Sequence, residues 1–123
     1  MQKEGNEQKN EFKKRLYAWT LRLIKFIESL PKGMVSEVMA KQLLRSGTSV
    51  LANYTEAYAA SSKKDFINYF SYALKSANES KIWLALLRDT NRGESGELNW
   101  LLRELTEVAN ILASSILTMH KKR

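Results

Sequence analysis

Two sets of residues have the types and spacing to do chemistry: four cations near the start of the chain, Lys14, Arg15, Arg22 and Lys25, and a later polar series, Gln42, Arg45, Ser46, Ser49, Asn53, Glu56, Asn78 and Glu79. The cations suit phosphates, because a positive stripe neutralises several of them without reading sequence and so binds non-specifically and with strong salt dependence. The polar series suits ion pairing and hydrogen bonding between helices. Catalytic chemistry finds few materials. His120 is the single histidine and has no second ligand one helical turn away, so neither a zinc site nor a histidine-based triad can be assembled around it. With no cysteine there is no thiolate nucleophile or metal ligand, and neither the Glu-x-x-His motif of carboxylate-bridged metal bundles nor a glycine-rich phosphate loop occurs. The expectation is a non-catalytic protein with no catalytic, cofactor-binding or metal-binding residues.

The elements that must position these side chains follow from length and periodicity. A chain of 123 residues suits one domain, 1–123, large enough to bury a single core without staples. Its net charge of +7 would attract nucleic acid, an acidic protein or an anionic surface, or simply solvate the helices. The opening MQKEGNEQKNEFKKR is polar where a secretory leader needs an apolar stretch, and the longest apolar runs are short, so a cytoplasmic protein without a membrane partner is expected.

One proline and five glycines leave few breakers, and the apolar residues recur every three or four positions in four segments. The first runs from about Glu11 to Leu30, stopped by Pro31 and Gly33, and carries Phe12, Leu16, Trp19, Leu23 and Phe26 on one face. Residues 1–10 would be a disordered or frayed extension ahead of it. The second starts with Ser36 as N-cap and runs to about Ala60, with Leu43, Gly47, Val50, Tyr54 and Ala57 on its inner side. Ser62 caps the third, since Ser62-Lys63-Lys64-Asp65 satisfies free amides of a first turn, and that helix reaches about Thr90. Asn91 to Gly96 is a turn by composition, Leu98 to Met119 form the fourth helix, and residues 121–123 are a basic tail. Connections this short predict an all-α, antiparallel up-down-up-down four-helix bundle.

Placed on helices, the chemistry-bearing residues acquire neighbours. With Lys14 at zero, Lys25 falls at about 20 degrees, Arg22 at about 80 and Arg15 at about 100, a single solvent arc away from the core face. Tyr17, Leu21 and Ile24 make a second apolar flank on the same helix, wider than two bundle neighbours cover, which predicts contact with another subunit. If the second and third helices fold back about Ser61-Ser62, Arg45 faces the level of Glu79 and Ser46 that of Asn78. A partly buried Arg45–Glu79 pair framed by Ser46, Ser49 and Asn78, at the bundle's edge or in a subunit interface, would specify register more than it adds stability. Trp19 belongs to the core stripe, whereas Trp83, Tyr54 and Tyr58 suit interface anchors better than platforms for stacked bases.

The stretch from Gln42 to Leu84, with Leu30-Pro31-Lys32 ahead of it, resembles the bacterial four helix bundle protein family, also known as the large-subunit (23S) ribosomal RNA intervening-sequence proteins. Gln42-Leu43-Leu44-Arg45-Ser46-Gly47-Thr48-Ser49, Asn53-Tyr54, Glu56-Ala57, Ser62-Lys63, Asp65-Phe66, Glu79-Ser80 and Trp83-Leu84 carry the likeness, and Phe12-Lys13-Lys14-Arg15 and Ile24-Lys25 extend it. The resemblance implies a bundle similar to the accessory variability protein of diversity-generating retroelements, a basic, ring-like homopentamer that binds RNA or DNA beside a reverse transcriptase. Thr55, Ala59 and Ser61 stand where that family often has arginine, and Leu51 where it has glycine, so the end of the second helix carries less positive charge here. Two functions fit: a ring binding nucleic acid through its basic surface, or a protein-interaction scaffold.

Overall fold

The computed structural model describes residues 2–122, with side chains described at Glu7 and from Lys9 onward. Four helices account for nearly all of it: α1 (Gln2–Glu28), α2 (Met34–Ala59), α3 (Lys63–Asp89) and α4 (Ser95–Lys121). There is no strand among the described residues. The fold is an all-α helical bundle in which α2 packs on α3, α3 on α4, and α1 on both α2 and α4.

One core runs through it. Leu16, Trp19, Leu23 and Phe26 of α1 meet Leu43, Val50 and Tyr54 of α2, and Leu84 and Leu87 of α3 meet Leu101, Leu105 and Leu112 of α4, all at most 2% exposed. Burial of each such leucine stabilises the fold by roughly 1.5–3 kcal/mol relative to leaving it in water. Trp19, wholly buried, donates its indole N–H to the Leu101 carbonyl at 3.0 Å, so even its polar edge is satisfied. Gly47 lets α1 and α2 approach closely: a Cβ there would collide with Leu23 and touch Trp19.

The connections differ from their sequence-level outlines in instructive ways. The helix α1 starts well ahead of Glu11, so the described part of the expected N-terminal extension is helical. Its physical anchor is the Tyr54 hydroxyl, which donates to the Lys9 carbonyl at 3.3 Å, while the Lys9 ammonium lies 4.2 Å from the Tyr58 ring centroid. Gly33, at φ 143, is the N-cap of α2, and Ser36 lies inside the helix, where its buried hydroxyl accepts from Arg92 Nε at 3.1 Å. Ser62 does cap α3, accepting from the Asp65 amide at 3.1 Å. That helix ends in a Schellman motif: the Arg92 amide donates to the Leu87 carbonyl, the Asn91 amide to that of Arg88, and Asn91 takes φ 56. Gly93 follows at φ 86, packed so closely on Phe26 that any side chain would strike the ring. Ser95 and Gly96, expected in the turn, open α4 because the Glu94 carboxylate caps the amides of Gly96 and Glu97 at 2.8 and 2.7 Å. Of the basic tail, Lys121 ends α4 and Lys122 follows it; Met1 and Arg123 lie outside the described residues.

Candidate nucleic-acid interface

The four cations expected on one solvent arc of α1 divide into two pairs. Lys14 and Lys25 are exposed. Arg15 instead grips the α4 carboxylate of Glu104 with both Nε and Nη2, each at 2.8 Å, and also meets Glu107. Arg22 holds Glu97 in the same bidentate way, at 2.9 and 2.7 Å, with its guanidinium 3.5 Å from the Trp100 ring centroid. The cause is a matched spacing: Arg15 and Arg22 stand two helical turns apart on α1, as do Glu97 and Glu104 on α4, so both pairs close together. The carboxyl of Glu104 is held below the usual glutamate range chiefly by its hydrogen bond from Arg15, and that of Glu97 by its bond from Arg22. The Arg15 guanidinium is held correspondingly further above its ordinary value. The interval of seven was visible in the sequence, and matching it between helices would have found both pairs.

On the α2–α3 side the structure brings Arg45 and Glu79 together. Arg45 Nη2 also donates to Gln42 Oε1 at 3.1 Å, and Trp83 Nε1 donates to Glu79 Oε2 at 3.0 Å. The pair lies at the bundle's edge, with side chains 58% and 38% exposed, so its contribution to the isolated chain lies in the range of about 0–1 kcal/mol usual for surface pairs. Ser46 does not meet Asn78, which points to solvent; its partner is Ser80, whose hydroxyl donates to Ser46 Oγ at 2.8 Å with both residues fully buried. Levelling the two helices at the connection gave the outer pair correctly, but the inner faces meet two residues further along, and Ser80 was missed. Ser49 and Asn53 turn back on their own helix, donating to the carbonyls of Arg45 at 2.6 Å and Ser49 at 2.9 Å, and Glu56 is exposed.

Of the expected interface residues, Tyr17 and Leu21 are 55% and 50% exposed and Ile24 is half-buried. Trp83 is half-buried against the core, with Glu79 on its N–H. Tyr54, read from sequence both on the inner side of the second helix and as an interface anchor, belongs to the core at 2% exposure because it packs on Phe12 and Phe70 at centroid distances of 5.0 and 5.5 Å. A second outward apolar cluster escaped the sequence reading: Ile82 and Leu86 on α3, and Val38 on α2, which sits at the same level across the connection. Their angular positions, away from the core stripe, carried the signal.

Among the described residues no group of three histidines, cysteines or acids could hold a metal ion, and no helix is long and apolar enough to cross a membrane. Compared with known families, residues 8–114 match the model of the 23S rRNA-intervening sequence protein. A solved structure, of a protein with unknown function from the S23 ribosomal protein family of Bacteroides thetaiotaomicron, is 38% identical, with the alignment covering 85% of this chain and 97% of that one at a TM-score of 0.74. No curated protein matches.

Proposed function

This chain belongs to the 23S rRNA-intervening sequence protein family, and from that premise we propose that it is a non-catalytic, homo-oligomeric bundle that binds nucleic acid non-specifically through exposed lysines. The bundle is up-down-up-down and antiparallel. In support, Arg15 pairs with Glu104, Trp19 with Leu101 and Arg22 with Glu97, so numbers rise along α1 as they fall along α4. The assembly is ring-like, with the pentamer of the resembling accessory proteins as its template.

The observation that carries the assembly is the position of two apolar clusters on opposite sides of one chain. Tyr17 and Leu21 face outward from α1, while Ile82 and Leu86 face outward from α3, and the backbones of α1 and α3 are not neighbours among the described residues. Head-to-tail contact between unlike patches generates a ring when its rotation closes, whereas a two-fold dimer needs a single self-complementary patch. A ring multiplies the +7 charge of each subunit and presents Lys14 and Lys25, which stand near Tyr17 and Leu21 on α1, beside every subunit contact.

A second reading, a scaffold for an acidic or apolar protein partner, draws on the ion pairs of Arg15 and Arg22, which leave a thinner basic surface than composition promises. Light-scattering mass with and without a short structured RNA, at low and high salt, separates the two. The proposal expects a multi-subunit species that gains RNA mass at low salt and releases it as salt rises. A multi-subunit species that ignores RNA at low salt would leave the scaffold standing, and a monomer would remove the ring from both.

A further inference from the structure

At one end of the bundle the start of α1, the end of α2, the start of α3 and the end of α4 surround a cavity of about 370 Å³ lined by Lys9, Phe12, Tyr54, Tyr58, Phe70 and Ser115. That volume lies within the range of ordinary ligand pockets. Its walls are mostly aromatic. Tyr58 and Phe70 approach edge-on with 6.1 Å between centroids and 68° between planes, Phe66 stacks on Phe70 at 4.9 Å, and Tyr54 closes the floor. The polar groups at the wall are the Lys9 ammonium over the Tyr58 ring, the hydroxyls of Tyr54 and Tyr58, 3.5 Å apart, and the Ser115 hydroxyl.

The same end is rich in lysine. Lys63 and Lys64 open α3, one turn ahead of Phe66, and Lys121 and Lys122 close α4. The two segments meet, because Lys63 Nζ donates to the Lys122 carbonyl. By helical rise, Lys63 stands about 10 Å along α3 from Phe70, and Lys122 about the same distance beyond Ser115. This is one to two nucleotide steps from the pocket. A flat aromatic-walled pocket beside cations from separate elements is the arrangement that takes a stacked base while neutralising the phosphates that flank it.

Resting on the nucleic-acid reading above, we infer that this pocket receives one unpaired nucleobase of a single-stranded nucleic acid, with Lys9, Lys63, Lys64 and Lys122 on the adjoining phosphates. The inference adds a preference to that reading: single strands and frayed ends bind here, and a fully paired duplex, whose bases are stacked internally, does not use the pocket. Tyr58, 40% exposed, is the accessible wall on which the base stacks once the Lys9 ammonium leaves the ring face for a phosphate, whereas Tyr54 and Phe70 support it from the core.

The test is fluorescence anisotropy with a labelled single-stranded RNA dodecamer and the same strand in a blunt duplex, using Tyr58→Leu, Lys63→Gln/Lys64→Gln and Lys14→Gln/Lys25→Gln. Leucine keeps an apolar wall, and a melting curve confirms that each variant is folded. Tyr58→Leu is expected to weaken single-strand binding by about tenfold without changing its salt slope, and to leave duplex binding unaltered. Lys63→Gln/Lys64→Gln should weaken binding and flatten the slope. The inference is overturned, with the nucleic-acid reading intact, if single and double strands bind equally and Tyr58→Leu matches the wild type while Lys14→Gln/Lys25→Gln alone loses affinity. Absence of binding to either RNA by the wild type would remove the reading and the inference together.

Discussion

The two long seams of this bundle are built in opposite ways. Between α2 and α3 the buried contact is made by small uncharged side chains, Ser46 against Ser80 together with Ala57, Ala73 and Ala77, all fully buried, while the Arg45–Glu79 pair lies outside it; the two backbones lie close and any added methylene meets a neighbour. Between α1 and α4 the backbones stand further apart and large or charged side chains bridge them: Trp19 fills the interior, and outside it two bidentate arginine–glutamate pairs and the Arg22–Trp100 stack span the gap. The first seam fixes register by shape, the second by matched charge. The difference shows why a net charge cannot be converted directly into a binding surface. Both arginines of the expected stripe hold the fold, and the cations of that stripe left exposed are lysines.

The strongest way to break this contrast is to put bulk into the tight seam. Ser80→Leu should cost about 3 kcal/mol or more by overpacking, read as a lowered midpoint in urea. Replacing the Arg15–Glu104 pair by Met and Leu at the wide seam keeps its volume while removing its charge and should cost less than about 1 kcal/mol, since apolar side chains of like volume substitute well for partly buried ion pairs. Equal losses at both seams would erase the distinction.

Removing one partner alone sharpens it. Glu104→Gln leaves Arg15 with Glu107 only, and because the Arg15 side chain is 33% exposed, water recovers part of the loss; about 1 kcal/mol is expected by thermal denaturation. Acid should act on the same seam. Glu97 and Glu104 have carboxyls held below their ordinary value near 4.5, so their contribution is complete above that pH and is lost as pH falls through the depressed values. Amide exchange compared at pH 7 and pH 3 should therefore show α1 losing protection before α2 and α3. Uniform loss across the four helices would count against a seam held by charge. The smallest effect belongs to Arg45→Met, an exposed pair whose loss should move stability by less than about 1 kcal/mol in an isolated subunit. Its readout is assembly: a changed light-scattering mass with little change in melting would place the pair at a subunit contact, and no change in mass would place it outside one.

Much of the fold was legible because apolar spacing reports directly on burial: Leu16, Trp19, Leu23 and Phe26 recur at helical intervals and are all core. Caps were legible where a side chain acts locally, as Ser62 does, and obscured where a better local solution existed. Ser36 has the right chemistry for a cap, yet the helix begins at Met34 and the hydroxyl serves Arg92 from another connection. The candidate site was harder to read for a related reason. Angular position on one helix says which direction a side chain leaves, not what the neighbouring helix offers in that direction. Arg15 and Arg22 leave α1 toward carboxylates on α4, Ser46 leaves α2 toward Ser80, and the aromatic cavity exists only where all four helices converge.

The α1 arginines hold the fold, and under the proposed function the α1 lysines are left to meet phosphate. The most direct test measures RNA affinity across a salt series for two variants of identical net charge, Lys14→Gln/Lys25→Gln and Arg15→Gln/Arg22→Gln. The lysine variant should keep its melting temperature and lose about 1.4 from the salt slope with single-stranded RNA, at about 0.7 for each phosphate contact. The arginine variant should melt earlier and keep the wild-type slope. If removing the arginines flattens the slope as much as removing the lysines, the division of labour between them is wrong.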